Sequence, residues 1–351
     1  MVRRLSTHLL LRPEDIPPSR DDWEVIGTFN PGAVRFGSDV VLMVRVAERP
    51  RERRAGWTAL PRWSEADGFT IDWVKDEELE FLDPRVVRGR ADGLVRLTFV
   101  SHLRVAFSRD GKSIDRVGPP ALIPQNTSEE FGVEDPRITP LDGRYYITYV
   151  AVSRHGAATA LASTTDFESF ERHGLIFCPE NKDVVLFPEC VAGKYVALHR
   201  PVGGTAFTVP QMWIARSPDL IHWGQHNYLY GGQREWETGR VGAGTPPIAV
   251  NEGWLEIYHG NLRPTIAGEV GAYFGAAMLL AKDDPARVLR TGREPVLTPS
   301  LEFEREGFVA NVVFPTAVVE QGESLLIYYG ASDKYSAVVE ISRADLLAAL
   351  E

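Results

Sequence analysis

Cysteine is nearly missing: Cys178 and Cys190 are the only two in 351 residues. So few leave no disulfide framework, and the expectation is two buried, reduced thiols. Long apolar runs are missing too. No stretch of about 18 apolar residues occurs, which excludes a helical membrane span. The N-terminal Arg3-Arg4-Leu5 soon meets Pro13, Glu14 and Asp15 without an apolar core of signal-peptide length. A cytoplasmic protein with no membrane partner is expected. Positive charge is the third shortage. A formal net charge of -10 at pH 7 repels nucleic-acid phosphates, so no nucleic-acid partner is expected, while a local basic pocket for one small anion stays compatible with it. The densest basic run, Arg49 to Arg54, is broken by Pro50 and Glu52 and reads as a solvated loop. Histidines do not stand at ligand spacing with cysteines or carboxylates, so neither a metal nor a bound cofactor is expected. Helical patterning is confined to a terminal turn at Ala344 to Leu350.

What the chain does have is a repeat. A proline opens each unit, a turn glycine follows five to nine residues later, and β-rich runs flank the glycine. The prolines are Pro31, Pro84, Pro136, Pro188, Pro247 and Pro315, and their glycines are Gly37, Gly93, Gly143, Gly193, Gly253 and Gly322. Runs such as Tyr145-Tyr146-Ile147-Thr148-Tyr149-Val150 are rich in the aromatic and β-branched residues that suit strands. A second metre is a polar turn: Ser108 to Asp110, Ser163 to Asp166, Ser217 to Asp219, Asp283 to Pro285 and Ser342 to Asp345, spaced 54 to 66 residues apart. That is room for a four-stranded blade and its connections, so an all-β propeller is expected, in which radial repetition protects strand edges. Five polar turns predict five blades with an insertion around residues 50–82, and six prolines predict six. Either way residues 1–351 read as one catalytic domain.

A propeller gathers the starts of its first strands and the ends of its second strands around one axis. This rule collects Asn30, Asp83, Asp135 with Arg137, Lys182 with Asp183, and Asn311 from the former. From the latter it collects Arg45, His102 with Arg104, His199 with Arg200, Tyr258 with His259, and Asp333, and the glycine-rich Gly239 to Gly244 adds Arg240. Arginine forks match an oxyanion, and the interspersed Asp and Asn suit sugar hydroxyls. In Glu134-Asp135-Pro136-Arg137 either carboxylate beside a sugar can supply acid. Inverting hydrolysis needs a second carboxylate to activate water. Phosphate as the nucleophile needs none, and one acid with a basic pocket then suffices.

With Asn30-Pro31-Gly32-Ala33, Arg45-Val46-Ala47-Glu48, Gly132 to Arg137, Leu186 to Glu189, Leu198-His199-Arg200, Ser217 to Trp223, Gly242 to Pro247, Tyr258-His259-Gly260, Phe314-Pro315-Thr316 and Tyr328 to Asp333 in order, the chain resembles glycoside hydrolase family 130. The resemblance implies a five-bladed propeller in which phosphate displaces a terminal β-mannosyl unit in one step. The products are α-mannose 1-phosphate and a shortened sugar, with β-1,2-mannobiose or manno-oligosaccharides the favoured substrate. It makes Asp135 the general acid, passing its proton through the mannosyl 3-hydroxyl. It assigns phosphate to Arg45, Arg200, Arg240 and His259 with Lys182 nearby, and the mannosyl unit to Asn30, Asp183 and Asp333. Glu134 and Arg137 are grouped with the substrate contacts. Arg240 stands where lysine is expected, and Asp183 where an amide is common.

The inserted segment brings Trp57 and Trp63, either a platform for further sugar units or a loop packed on the outer blade. A hydrolase on the same fold would lose the basic groups and gain a glutamate base. A non-catalytic carbohydrate-binding propeller would have no use for Asp135 as an acid. Inorganic phosphate enters as a co-substrate, and self-association as a homo-oligomer stays open.

Overall fold

The computed structural model describes residues 2–202, 207–266 and 269–351. In the run Val40-Val41-Leu42-Met43-Val44 every side chain is buried, without polar alternation, so both faces of the strand are covered. Val40, Leu42 and Val44 pack into one hydrophobic cluster while Val41 and Met43 pack into another, as the two-residue period of a strand requires. The same division recurs around the molecule.

Five antiparallel units follow in chain order, the first two joined by one parallel bridge between Ser101 and Gly132. The first contains Trp23–Phe36, Asp39–Pro50, Val100–Ser108 and Arg116–Leu122. The second is Gly132–Leu141, Arg144–Ser153, Gly156–Thr164 and Glu171–Phe177. The third is Asn181–Leu186, Tyr195–Pro201, Met212–Ser217 and Gly224–Tyr230. In the fourth, Val241–Ala243 and Ile248–Val250 share the role of first strand, interrupted by Pro246 and Pro247, and Gly253–Asn261, Tyr273–Leu280 and Val288–Thr291 follow. The fifth is Val313–Gln321, Ser324–Ala331 and Tyr335–Ser342, completed by the N-terminal strand Arg4–Leu11.

Hydrophobic clusters fill the interfaces between successive units: first with second, second with third, third with fourth, fourth with fifth, and fifth with first. The sheets therefore close into a ring, and the chain is an all-β, five-bladed propeller. The N-terminal strand hydrogen-bonded to the last blade ties that ring shut.

The sixth proline–glycine pair does not make a blade. Pro84 lies in the turn between Leu79–Asp83 and Val86–Gly89, which with Val95–Leu97 form a small three-stranded sheet. That sheet and the hairpin Trp57–Ser64 with Gly68–Lys75 are inserted between the second and third strands of blade 1. Four of the polar turns join third to fourth strands, and the fifth becomes an N-cap: Ser342 accepts from the Asp345 amide at the start of the helix Arg343–Ala348. Among the described residues no helix is long and apolar enough to cross a membrane. Cys178 and Cys190 are free thiols but exposed, not buried as expected, because both fall in the connections flanking the first strand of blade 3.

Prolines do not open the first strands either. Pro31 and Pro136 lie inside theirs, each behind a residue of positive φ: Asn30 at 51° and Asp135 at 48°. Asp183 at 56° repeats the device in blade 3. The strand register slips beside all three, between Phe29 and Gly32, Glu134 and Arg137, and Lys182 and Val185. Asn and Asp tolerate this left-handed conformation better than other side chains.

Candidate active site

The three left-handed residues line one cavity of about 180 Å³, together with Arg45, Glu134, Lys182, Arg200, Arg240 and Asp333. Every blade contributes. Of the eleven residues expected as acid, phosphate contacts or substrate contacts, nine meet there, drawn together by the ring and by the bulges that interrupt its first strands.

Asp135 sits at the cavity's most tightly held point. Its Oδ1 accepts from Asn30 Nδ2 at 2.8 Å and from Arg45 Nη1 at 2.9 Å. Burial raises its carboxyl pKa, but Arg45, Arg137, the Asn30 amide and Lys182 outweigh that and hold it below the usual carboxylate range. Arg45 is fully engaged: Nη2 donates to Glu134 Oε1 at 2.6 Å and Nε to Ser101 Oγ at 3.1 Å. Its guanidinium also lies over the Phe29 ring, 4.4 Å from the centroid. It is a clamp on both carboxylates of the Glu134-Asp135 pair, with few donors left for an anion.

Donors are free on the other side. Arg200 Nε is fixed to Asp183 Oδ2 at 2.6 Å, and its two terminal nitrogens make no hydrogen bond among the described residues. Arg240 uses Nη1 on the Tyr273 hydroxyl at 2.9 Å, and Lys182 Nζ makes no hydrogen bond among the described residues. Burial opposes the charge on Asp183, but Arg200 and Arg137 keep its carboxyl strongly depressed. Gly242 explains the glycine-rich approach to Arg240: a Cβ there would stand 2.6 Å from Asp183 Oδ2 and 2.9 Å from Arg200 Nε.

His259 and Arg137, expected among the phosphate and substrate contacts, do not line the cavity. His259 is completely buried behind Asp183, with Nε2 3.4 Å from Asp183 Oδ2 and its ring 4.4 Å from that of Phe314. Burial drives its pKa down to about 3, so the ring is neutral near pH 7 and offers no charge to an anion. Arg137 is 1% exposed and turns to backbone carbonyls instead of the open space. His102 and Arg104 bond each other at 3.0 Å, Nε to Nε2, away from the cavity wall. His199 is held by Asn181 and His226.

Arg85 was missed. The inserted three-stranded sheet carries it into the cavity wall, where Nη1 donates to Asp333 Oδ2 at 2.9 Å and Nη2 to Asp83 Oδ2 at 3.1 Å. Asp83-Pro84-Arg85 repeats the pattern of Asp135-Pro136-Arg137, and that was the available signal. Phe99, Tyr273 and Phe314 supply aromatic wall, and sequence alone does not distinguish them from core residues.

Beyond Lys182, Arg200 and Arg240 the cavity continues into a basin of about 1020 Å³, bordered by Glu180, Asn261, Arg263 and Glu269. Trp57 and Trp73 line a separate hollow of about 220 Å³ on the insertion. Trp63 does not join it; its amide donates to the Glu130 carbonyl of the loop before blade 2. Among the described residues no cluster of three or more His, Cys, Asp or Glu could hold a metal.

Known proteins share this fold. The model of glycoside hydrolase family 130, described as beta-1,4-mannooligosaccharide phosphorylase, matches residues 73–351. A beta-1,2-mannobiose phosphorylase of Listeria innocua is 38% identical over 359 residues, covering 100% of this chain and 98% of that one. Its structure in complex with beta-1,2-mannobiose superposes with a TM-score of 0.90 at 37% identity, covering 98% of this chain and 99% of that one. A 1,2-beta-oligomannan phosphorylase of Thermoanaerobacter is 35% identical over 252 residues, 71% of this chain and 81% of its own.

Proposed function

The chain belongs to glycoside hydrolase family 130, and from that premise we propose that it is an inverting β-mannoside phosphorylase, cleaving β-1,2-mannobiose or β-1,2-manno-oligosaccharides with inorganic phosphate. The family description names a β-1,4 linkage, but the two relatives above that match it over most of their length are named for β-1,2 substrates. All five blades then act as one catalytic unit.

One observation carries the reading: Lys182, Arg200 and Arg240 keep uncommitted donors in the same small cavity as an anchored carboxyl, Asp135. Three cations with free N–H groups are a phosphate cradle. Asp183 holds Arg200 in place and leaves its terminal nitrogens for the anion. On the other side Asn30, Asp333 and Arg85 present the amide, carboxylate and guanidinium groups that pair with hydroxyls, and suit the mannosyl unit. The larger basin opens past the same three cations, on the phosphate side, and gives the anion a way in.

In the reaction a phosphate oxygen bonds to the anomeric carbon as the β-glycosidic C–O bond breaks, and configuration inverts. The departing oxygen receives the proton of Asp135, by way of the mannosyl 3-hydroxyl in the family's manner. The carboxylate left behind is stabilised by Arg45 and Asn30. Because those same groups favour the ionised form of Asp135, the proton must arrive with the substrates. Hydrogenphosphate carries one, and the mannosyl phosphate ester, whose second pKa is about 6, releases it again. Protons balance without a second catalytic carboxylate. Arg45 in this scheme serves the acid, and the phosphate rests on Lys182, Arg200 and Arg240.

Incubating the protein with β-1,2-mannobiose, with and without phosphate, tests the assignment. Mannose 1-phosphate formed only with phosphate is expected. Mannose released equally without it would make the protein a hydrolase, and no turnover of any β-mannoside would favour a binding module. Asp135→Asn should lower turnover by about 10²- to 10⁴-fold, the usual contribution of a general acid, while the thermal midpoint and phosphate affinity persist. Near-normal turnover would remove Asp135 from its role.

A further inference from the structure

Arg137 is the most deeply buried cation near the reaction centre, and its contacts are unlike those of a substrate ligand. Nη1 donates to the backbone carbonyl of Asp135 at 2.8 Å, two residues upstream on its own strand. Nε donates to the carbonyl of Gly244 in blade 4 at 3.2 Å. Nη2 stands 3.6 Å from Asp183 Oδ1 in blade 3, and the guanidinium lies 5.5 Å from the centre of the Phe314 ring in blade 5. A single planar group thus touches elements of four blades at the axis.

The need for it follows from the bulge. Glu134 pairs with Val150 and Arg137 with Thr148, so Asp135 and Pro136 drop out of the ladder. Proline has no N–H, and the carbonyl of Asp135 is left inside the protein without a strand partner. An unpaired buried carbonyl costs as much as a lost hydrogen bond, and the left-handed conformation of Asp135 adds to that cost. The Asp135 conformation persists only if something outside the ladder holds it. Arg137 Nη1 is that contact. Gly244 is shaped for the other end: any Cβ would strike the Ile257 carbonyl, and its amide donates to Glu256 Oε1 at 3.1 Å.

We propose that Arg137 is a positioning residue for the catalytic acid: it pins the bulge that aims Asp135, and through Asp183 it couples that bulge to Arg200 on the phosphate side. Lysine cannot reproduce it, since one ammonium cannot serve carbonyls and a carboxylate at these separated positions as a planar fork does. The inference rests on the phosphorylase reading above.

The test is Arg137→Lys, with Arg137→Gln as the partner variant that keeps one amide donor for the Asp135 carbonyl. The intact chain is used, and the thermal midpoint is checked first. On β-1,2-mannobiose and phosphate, kcat should fall by about 10²-fold, the usual effect of a 1 Å misplacement, while both KM values stay within about threefold of the parent, with Gln intermediate. The loss should be smaller on 4-nitrophenyl β-mannoside, whose leaving group needs little proton transfer. A raised KM for either substrate at unchanged kcat would make Arg137 a ligand and overturn the proposal. Unchanged kinetics would do the same, as would failure of both variants to fold, which would reduce the residue to a fold element. If the parent itself shows no phosphate-dependent turnover, it is the phosphorylase reading that has failed.

Discussion

Replacing Arg45 with Met separates the roles of charge and packing at the acid. Methionine keeps an apolar stem against Phe29 and Phe99, whose rings lie 4.4 and 5.7 Å from the guanidinium carbon, so little packing is lost. What is lost is the counter-charge of two carboxylates whose side chains are 5% and 10% exposed. Removing one partner of a buried ion pair costs about 3–5 kcal/mol, and that is the expected loss at pH 8. Its pH dependence carries the sharper test. In the parent, the Asp135 carboxyl lies below its ordinary value despite burial, so it adds stability above the unfolded value of about 3.9 and loses it only as pH falls through the folded one. In the variant burial acts unopposed by Arg45 and the folded value rises. The deficit should then shrink on acidification, by about 1.4 kcal/mol per pH unit across the window between the unfolded value and the raised one. Urea unfolding of parent and variant at pH 5, 6, 7 and 8, with unchanged slope, measures it. A deficit under about 1 kcal/mol, or one flat with pH, would refute the account of Arg45 as the clamp on Asp135.

Two further substitutions probe the neighbourhood. Glu256 is completely buried, and desolvation holds its carboxyl well above the ordinary value. The parent therefore loses stability as pH rises above the unfolded value of about 4.3. Glu256→Gln, which keeps the acceptor for the Gly244 amide, should raise the thermal midpoint more at pH 8 than at pH 5, and a lowered midpoint at both would contradict this. Gly242→Ala would place a methyl 2.6 Å from Asp183 Oδ2 and 2.7 Å from His259 Cε1. Overpacking of this kind costs about 1–3 kcal/mol and should displace the Asp183–Arg200 pair, weakening phosphate binding in calorimetry. An unaltered phosphate affinity would separate that pair from the phosphate site.

The blade metre was legible because it is written in local chemistry. Turn glycines at Gly37, Gly143 and Gly322 adopt positive φ with open space around them, and Asp110, Asp166 and Asp219 accept from backbone amides two and three residues on. Such signals need no tertiary context. Pro84 misled because Asp-Pro-Arg recurs in the insertion with the same local character, and only the pairing of Leu79–Asp83 with Val86–Gly89 shows that it belongs to a separate sheet. The same Asp-Pro-Arg pattern is the one local sign of Arg85. His259 is among the residues collected around the axis, and its depth is set by Phe314 and Asp183 on neighbouring blades. Nothing in Tyr258-His259-Gly260 records that.

The recurrence of a left-handed Asn or Asp in blades 1, 2 and 3 links fold to chemistry. A regular first strand would send alternate side chains into the two inter-blade cores, where a carboxylate has no place. A bulge with one left-handed residue leaves the strand's two-sided alternation for a single position, and Asn30, Asp135 and Asp183 all line the axial cavity. Their side chains then meet one another and the arginines: Asn30 bonds Asp135, Arg45 bonds Asp135, and Arg200 bonds Asp183. Proline behind Asn30 and Asp135 fits the break because it removes an N–H that the ladder no longer pairs. The Asn-Pro and Asp-Pro pairs read from the sequence as blade openings are therefore the local marks of residues turned out of the sheet toward the site. Blade 3 has Val184 in place of proline, and its left-handed Asp183 is held by Arg200 at 2.6 Å.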